Sequence, residues 1–362
     1  MAVAEDVLTN EWDYLLTLLP GDLERSAWAH GVILRRRQVR SADGLLRLAL
    51  GYATCDWPLR TVAAMSERMG LGTLSDVAVL KRLRRCGPWL GWLVGQWLRT
   101  HVVRVPVTSG RLRLVDATTV CKPGSTGTDW RLHASYDVGR GSFDELQLTD
   151  GRGAESLARI HLEPGDILVA DRGYAHPEVL GGVDAAEASL VVRFPWSNLT
   201  FHNTTGGDWD LMSFLRALPP VAVGEADVHL NLSRRCLPAR VVGVRKTTSA
   251  ATAARRRVER EARRKGKTPD ARSLECAEYV FVLTTLPSVI TGREVLEIYR
   301  LRWQVEMAFK RLKSVLHFDQ LRAKDPELAR TYLYGKLLGA LLVDELTLRS
   351  RRFFPWGFPL RD

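Results

Sequence analysis

The sequence predicts an α/β protein in which an all-helical N-terminal region precedes a sheet-containing core, and a strand-rich insertion interrupts that core. Three observations carry this. Residues 1–104 show helical periodicity only, in segments 8–19, 42–54, 58–69, 75–85 and 88–103, with Gly or Pro between several of them. From Arg111 the pattern changes to strand-like alternation and short continuous apolar runs. The 362 residues, 46% of them hydrophobic, suffice for about two domains or for one with a large insertion.

Within the helical region, Leu59 opens a helix that Gly70 and Gly72 break. Ser75 is a fitting N-cap, with Asp76 in the first turn, for the next helix. This pair resembles a helix-turn-helix and ends in Lys81, Arg82, Arg84 and Arg85. Such a cluster either contacts DNA phosphates or is the basic outer face of an ordinary helical hairpin.

In the core, Arg111–Thr118 reads as a strand with Leu112, Leu114 and Asp116 on one face. Strands Trp130–Val138 and Ser142–Thr149 come next, joined by a Gly139-Arg140-Gly141 turn. Gly153–His161 reads as a helix and Asp166–Ala170 as a buried central strand, running into Asp171-Arg172-Gly173-Tyr174. A helix near Pro177 and a strand over Ser189–Phe194 complete three strands, helix, strand, helix, strand, which is the order of an RNase H-like fold. We place the first part of this core at 105–194, the β-rich insertion at 195–285, the remainder of the core at 286–350 and a tail at 351–362. The insertion carries strands over Ala226–Leu232, Pro238–Lys246 and Glu278–Thr284, and a basic helix over 253–267 that includes Arg255, Arg256 and Arg257. That helix is either a solvated element or an arm that contacts phosphates. Asp325-Pro326-Glu327 starts a last helix, running to about Leu348 with Leu337, Leu338, Leu341 and Leu342 turned inward.

The stretch Tyr299–Lys313 contains no Gly or Pro and reads as one helix. At roughly 100° per residue, Tyr299, Arg302, Glu306 and Lys313 share a wedge of about 60°, and Leu301, Val305, Ala308, Leu312 and Val315 share one of about 80° on the other side. The polar face is thus ordered Tyr-x2-Arg-x3-Glu-x6-Lys. With Asp116 and Asp171 upstream at strand ends, this pattern resembles the YREK signature of bacterial DDE transposases in the insertion-sequence-four family, over about Leu45–Leu348.

The resemblance implies that Asp116, Asp171 and Glu306 bind two Mg²⁺ or Mn²⁺ ions and catalyse phosphoryl transfer at DNA. Hard divalent cations prefer carboxylate oxygens, and two of them can clamp an in-line displacement at phosphorus. It further implies that Tyr299, Arg302 and Lys313 contact phosphates near the cleaved end; otherwise these cations only neutralise the acids. The implied activity cuts at element ends and joins the 3′-hydroxyl to target DNA. An RNase H-like nuclease without strand transfer, or an inactive DNA-binding relic, would present the same acids. Some relatives stack a flipped base on a Trp near the end of the insertion. Here YVFVLTTLP has none, and Tyr279 is the nearest aromatic, with Trp196 and Trp209 as alternatives by proximity.

Bulk properties agree. There are 52 Lys+Arg against 41 Asp+Glu, a formal charge of +11, which favours a polyanionic partner such as double-stranded DNA. No apolar run approaches the ~18 residues of a membrane span, and no signal peptide is evident at the start. Cys55, Cys86, Cys121, Cys236 and Cys276 form no Cys-x-x-Cys and read as reduced, structural thiols. The expected location is cytoplasmic, and for such a bacterial enzyme nucleoid-associated, with self-association on DNA because two ends must be brought together.

Overall fold

The computed structural model describes residues 12–19, 21–34, 38–100, 110–125, 127–232 and 235–353. The expected helix and tail residues 8–11, 101–103 and 354–362 therefore lie outside the described residues. The N-terminal part is helical: α1 (12–18), α2 (Leu23–Ala29), α3 (Ala42–Thr54), α4 (Leu59–Arg68) and α5 (Asp76–Thr100). The two segments expected at 75–85 and 88–103 are one helix, with Pro88 inside it. An internal Pro costs about 3 kcal/mol, but Trp89, Leu90, Leu93 and Trp97 beyond it are all buried. Burying each contributes roughly 1.5–3 kcal/mol, so continuing the helix wins.

The strands are β1 (Leu112–Val120), β2 (Trp130–Asp137), β3 (Ser142–Asp150), β4 (Ile167–Ala170), β5 (Ser189–Arg193), β6 (Phe201–His202), β7 (Asp208–Trp209), β8 (Val223–Leu232), β9 (Arg235–Arg245) and β10 (Tyr279–Thr284). They form one mixed sheet in the order β3-β2-β1-β4-β5-β10-β9-β8-β6-β7. β1, β2 and β3 are an antiparallel meander, β4 pairs parallel to β1, and β5 parallel to β4. The strands expected in 195–285 thus extend the same sheet, entering through β10 beside β5. Gly153–His161 is not an α-helix; only Leu157–Arg159 makes a short 3₁₀ turn. The chain is pinned there, since a Cβ on Gly153 would meet Thr149 Oγ1 at 2.1 Å.

Helices α6 (Pro177–Ala185), α7 (Leu211–Ala217), α8 (Thr248–Arg264), α9 (Ala271–Cys276), α10 (Gly292–Arg300), α11 (Trp303–Leu316) and α12 (Pro326–Phe353) surround the sheet. Alternation divides the core. Leu114, Val169, Val191, Val282 and Val242 face α10–α12 and the N-terminal helices, whereas Val115, Leu168, Ala170, Leu190 and Val192 face the layer containing α6 and α7. Leu114→Ala in this packing would cost about 2–5 kcal/mol. A single buried cation ties the helices together. Lys336 of α12 is fully buried, pairs with Asp56 at 3.0 Å, and donates to the carbonyls of Leu316 and His317 at the C-terminus of α11. Asp56, just past α3 at φ 53°, is also bonded by Tyr332 and Arg322. All five cysteines are free, and no described helix is long and apolar enough to cross a membrane.

Candidate active site

The register of the parallel strands builds the site. Val115 of β1 pairs with Ala170 of β4, and Ala170 with Val192 of β5. One residue further on come Asp116, Asp171 and Arg193, side by side across three strands. Side chains alternate along a strand, so these three share the face of Leu114, Val169 and Val191. Asp116 was expected at a strand end. It lies inside β1, which continues to Val120 against β2 alone, while β4 stops at Ala170. The carboxylates therefore lie where two neighbouring strands part, outside the carboxyl end of β4, a usual place for ligands in such sheets.

The expected helix over 299–313 is two helices. α10 ends at Arg300 and α11 begins at Trp303. α10 starts with a Thr291–Glu294 capping box and packs on the sheet, and α11 packs along β1. Two different docking surfaces bend a chain that no Gly or Pro marks. As a result Tyr299 points inward, only 9% exposed, and its phenol donates to Asp171 Oδ1 at 3.2 Å. Burial, with the charge of Asp171 adding, raises the Tyr299 pKa. Val315, expected in the core, is 71% exposed.

Arg302, at the bend, occupies the centre of the acids. It donates to Glu306 Oε1 at 2.6 Å, lies 4.0 Å from Asp116 Oδ2, and its guanidinium carbon is 5.8 Å from the Tyr299 ring centre. Burial works against its charge, but Tyr299, Asp171 and Glu306 outweigh it and raise its pKa. Asp116 is pushed up to about 6, mainly by burial; the Ala117 N–H and Arg302 oppose the shift, and the charges of Glu306 and Asp171 add to it. Glu306 is 52% exposed. Among the described residues, no three His, Cys, Asp or Glu side chains are drawn together tightly enough to hold a cation by themselves. The arrangement still fits a divalent ion. Its donors are all carboxylate oxygens, they act on one another's charge, and a guanidinium already sits among them as a cation would.

Lys313, two turns beyond Glu306, makes no described contact with the cluster. Arg84, though exposed, forms a bidentate pair with Asp325, and Arg82 donates to Ala78 O at 3.0 Å; Lys81 and Arg85 are exposed as well. α8 has no buried residue, and Arg255 pairs with Glu278 at 2.8 Å. The aromatic alternatives are corrected. Tyr279 is buried beneath Arg245, and Trp196 and Trp209 pack on the opposite face of the sheet from the acids. Trp303, by contrast, is 58% exposed at the bend beside Arg302. Sequence reading missed Arg193, whose signal was a lone cation closing an apolar strand. Glu155, to which the sequence assigns no role, abuts Gly173: a Cβ there would meet its Oε2 at 2.3 Å.

Residues 108–342 match the family model described as Transposase DDE domain. InsL of insertion sequence element IS186A from Escherichia coli K12 is 40% identical over 356 residues, covering 96% of each chain. The transposase for insertion sequence element IS421 of Escherichia coli is 40% identical over 357 residues, again covering 96% of each. The transposase for IS231F of Bacillus thuringiensis subsp. israelensis is 24% identical over 276 residues, 67% of this chain and 57% of that protein. A match of this extent to both family model and full-length relatives makes the chain a member of the DDE transposase family, enzymes of metal-dependent DNA cleavage and strand transfer.

Proposed function

We propose that Asp116, Asp171 and Glu306 are the metal-binding catalytic carboxylates of an insertion-sequence transposase of the YREK type, acting on double-stranded DNA at element ends and then at the target. The observation that carries this is the shared row of Asp116 and Asp171 across β1 and β4, with Glu306 brought over it by α11. Two Mg²⁺ or Mn²⁺ ions held there would supply positive charge to the attacking and leaving oxygens of a displacement at phosphorus. Tyr299 orients Asp171 through its hydrogen bond. Arg302 and Arg193 fix the phosphate beside the acids, and Lys313 extends the contact along α11. The meander β1–β3 followed by parallel β4 and β5 supports an RNase H-like core over 105–194 and 286–350, with 195–285 as the insertion.

Lys81 and Arg85 of the 1–104 region, and Arg255, Arg256 and Arg257 of α8, are the further DNA contacts in this reading, whereas Arg82 and Arg84, also expected there, are engaged by Ala78 O and Asp325. The protein self-associates on DNA to pair two ends, and works at the nucleoid. The test is Glu306→Gln on one labelled element end, measuring end binding, nicking and strand transfer. The half-exposed Glu306 contributes little to folding, so binding should persist while nicking and joining both fall by about 10³-fold, a loss typical of removing a preorganised transition-state charge. Nicking at the wild-type rate would remove Glu306 from the site. Hydrolysis without joining by the unmodified protein would make it a nuclease.

A further inference from the structure

The insertion closes a cavity of about 670 Å³ between the end of β9 and α8. Its lining includes Arg245, Lys246, Arg255 and Arg256 against only two carboxylates, Glu259 and Glu278. Glu278 is already engaged, by Arg245 at 3.3 Å and Arg255 at 2.8 Å. Arg257, next in sequence, does not line the cavity. Val221 stands on the rim, 70% exposed and at φ 65°, a backbone region where a β-branched residue is rare. It holds an apolar group out to solvent beside cations.

The cavity is connected to the acids. In register, Asp171 neighbours Arg193, whose partner Val282 on β10 pairs in turn with Val242 on β9. Lys246 lies four residues after Val242, on the same face by alternation. It is half-buried, donates to Ala277 O at 2.5 Å, and is lowered to about 8 by burial first and then by the charges of Arg193 and Arg172. Arg193 Nε is itself buried without a partner. Arg172 feels the charges of Asp171 and Arg193, and Lys246 at the α8 cavity feels those of Arg193 and Arg172; neighbours of like charge are tolerated best when an anion lies between them.

We propose that this cavity is a second phosphate subsite, which holds the backbone of the DNA strand leaving the acids. The inference rests on the reading above, that the reacting phosphate lies at Asp116 and Asp171. Three strand steps of about 4.8 Å and four residues of about 3.3 Å put Lys246 roughly 20 Å from Asp171. With about 3.4 Å of axial rise per nucleotide and the winding of the backbone about that axis, the held phosphate is about four nucleotides from the cut. Its recognition is of the phosphodiester, without regard to base.

The experiment places one neutral methylphosphonate at each backbone position of a labelled duplex ending at the element terminus, and measures binding to the full-length protein. With the unmodified protein, a substitution about three to five nucleotides from the cut should weaken binding about tenfold, the loss expected for one charge-assisted contact. With Arg255→Gln/Arg256→Gln, on a helix with no buried residue, that position should become indifferent. Positions at the cut should keep their sensitivity. Lys246→Gln should act in the same way and less strongly, and melting temperatures confirm that both variants fold. A flat scan about three to five nucleotides out, or full sensitivity there in the double variant, overturns the subsite. Asp116→Asn keeps the two readings separate. It should abolish cleavage and leave the scan unchanged, so normal cleavage by this variant would refute the catalytic assignment without touching the cavity result.

Discussion

The phenol of Tyr299 donates a hydrogen bond to Asp171 across 3.2 Å, from the end of one helix to the turn after β4. That contact makes Tyr299 a partner of a carboxylate. Tyr299→Phe should therefore lower folding stability by about 1 kcal/mol, the net worth of one such bond. End binding at fixed salt should stay within about twofold of wild type, since the phenol is already engaged by a carboxylate. The Mg²⁺ concentration giving half-maximal nicking should rise, because Asp171 is no longer held in place. A variant that binds DNA tenfold more weakly with unchanged Mg²⁺ dependence would show instead that the phenol meets a phosphate.

Arg302 is 17% exposed, between Glu306 and Asp116. Arg302→Gln should destabilise the metal-free protein by about 1–2 kcal/mol, a partly exposed pair being worth less than a buried one. Added Mg²⁺ should then raise the melting temperature of this variant more than that of the wild type, since the ion supplies the missing charge. Equal Mg²⁺-induced shifts would mean that Arg302 does not share the acids with a cation.

Asp116 predicts a pH effect of definite sign. Its folded pKa of about 6 is above the ordinary carboxyl value of 3.8. The fold therefore favours the protonated form. That stabilisation is complete below the unfolded pKa and is lost as pH rises through about 6. Metal-free protein should lose on the order of 1–2 kcal/mol between pH 4 and pH 7 through this group. Asp116→Asn should flatten that part of the stability profile, and Mg²⁺ binding at pH 5.5 should release protons. A profile unchanged by Asp116→Asn would refute the assignment.

Arg84 and its neighbours should separate by role. Arg84 is bidentate on Asp325, so Arg84→Ala should lower the melting temperature slightly and leave the salt dependence of end binding unchanged. Lys81→Ala/Arg85→Ala should reduce the slope of log K against log salt by about 0.9 for each phosphate no longer neutralised. The reverse pattern would place Arg84 on DNA.

Asp171 was legible because strands announce themselves: the run Ile167–Ala170 is apolar throughout, and the polar residue directly after it sits at a strand end. Asp116 was legible as a strand residue, but its place inside β1 was not, since the continuation to Val120 depends on pairing with β2. Arg193 was hidden, since the row it shares with Asp171 is a matter of register between strands, which no local pattern encodes. The bend after Arg300 was hidden for a related reason. Nothing in Tyr299–Lys313 disfavours helix, and only the separate docking of α10 on the sheet and α11 along β1 breaks it. At Pro88 the error ran the other way, because a local rule predicted a break that buried tryptophans override. The one-sheet continuity of the insertion also depends on long-range pairing, of β10 with β5.

Lys336 bears on how the molecule can be divided. The family match spans 108–342, yet the counter-charge of the fully buried Lys336 is Asp56, outside that span. Excising 108–342 would strand an ammonium in the interior, a defect of about 3–5 kcal/mol. It would also expose the α12 surface that packs on α5 and α3. Homology and folding therefore draw different borders. The same ammonium closes the last turn of the helix bearing Glu306, so the N-terminal helices are scaffold for the third acid, and an isolated core fragment should be recovered as an aggregate.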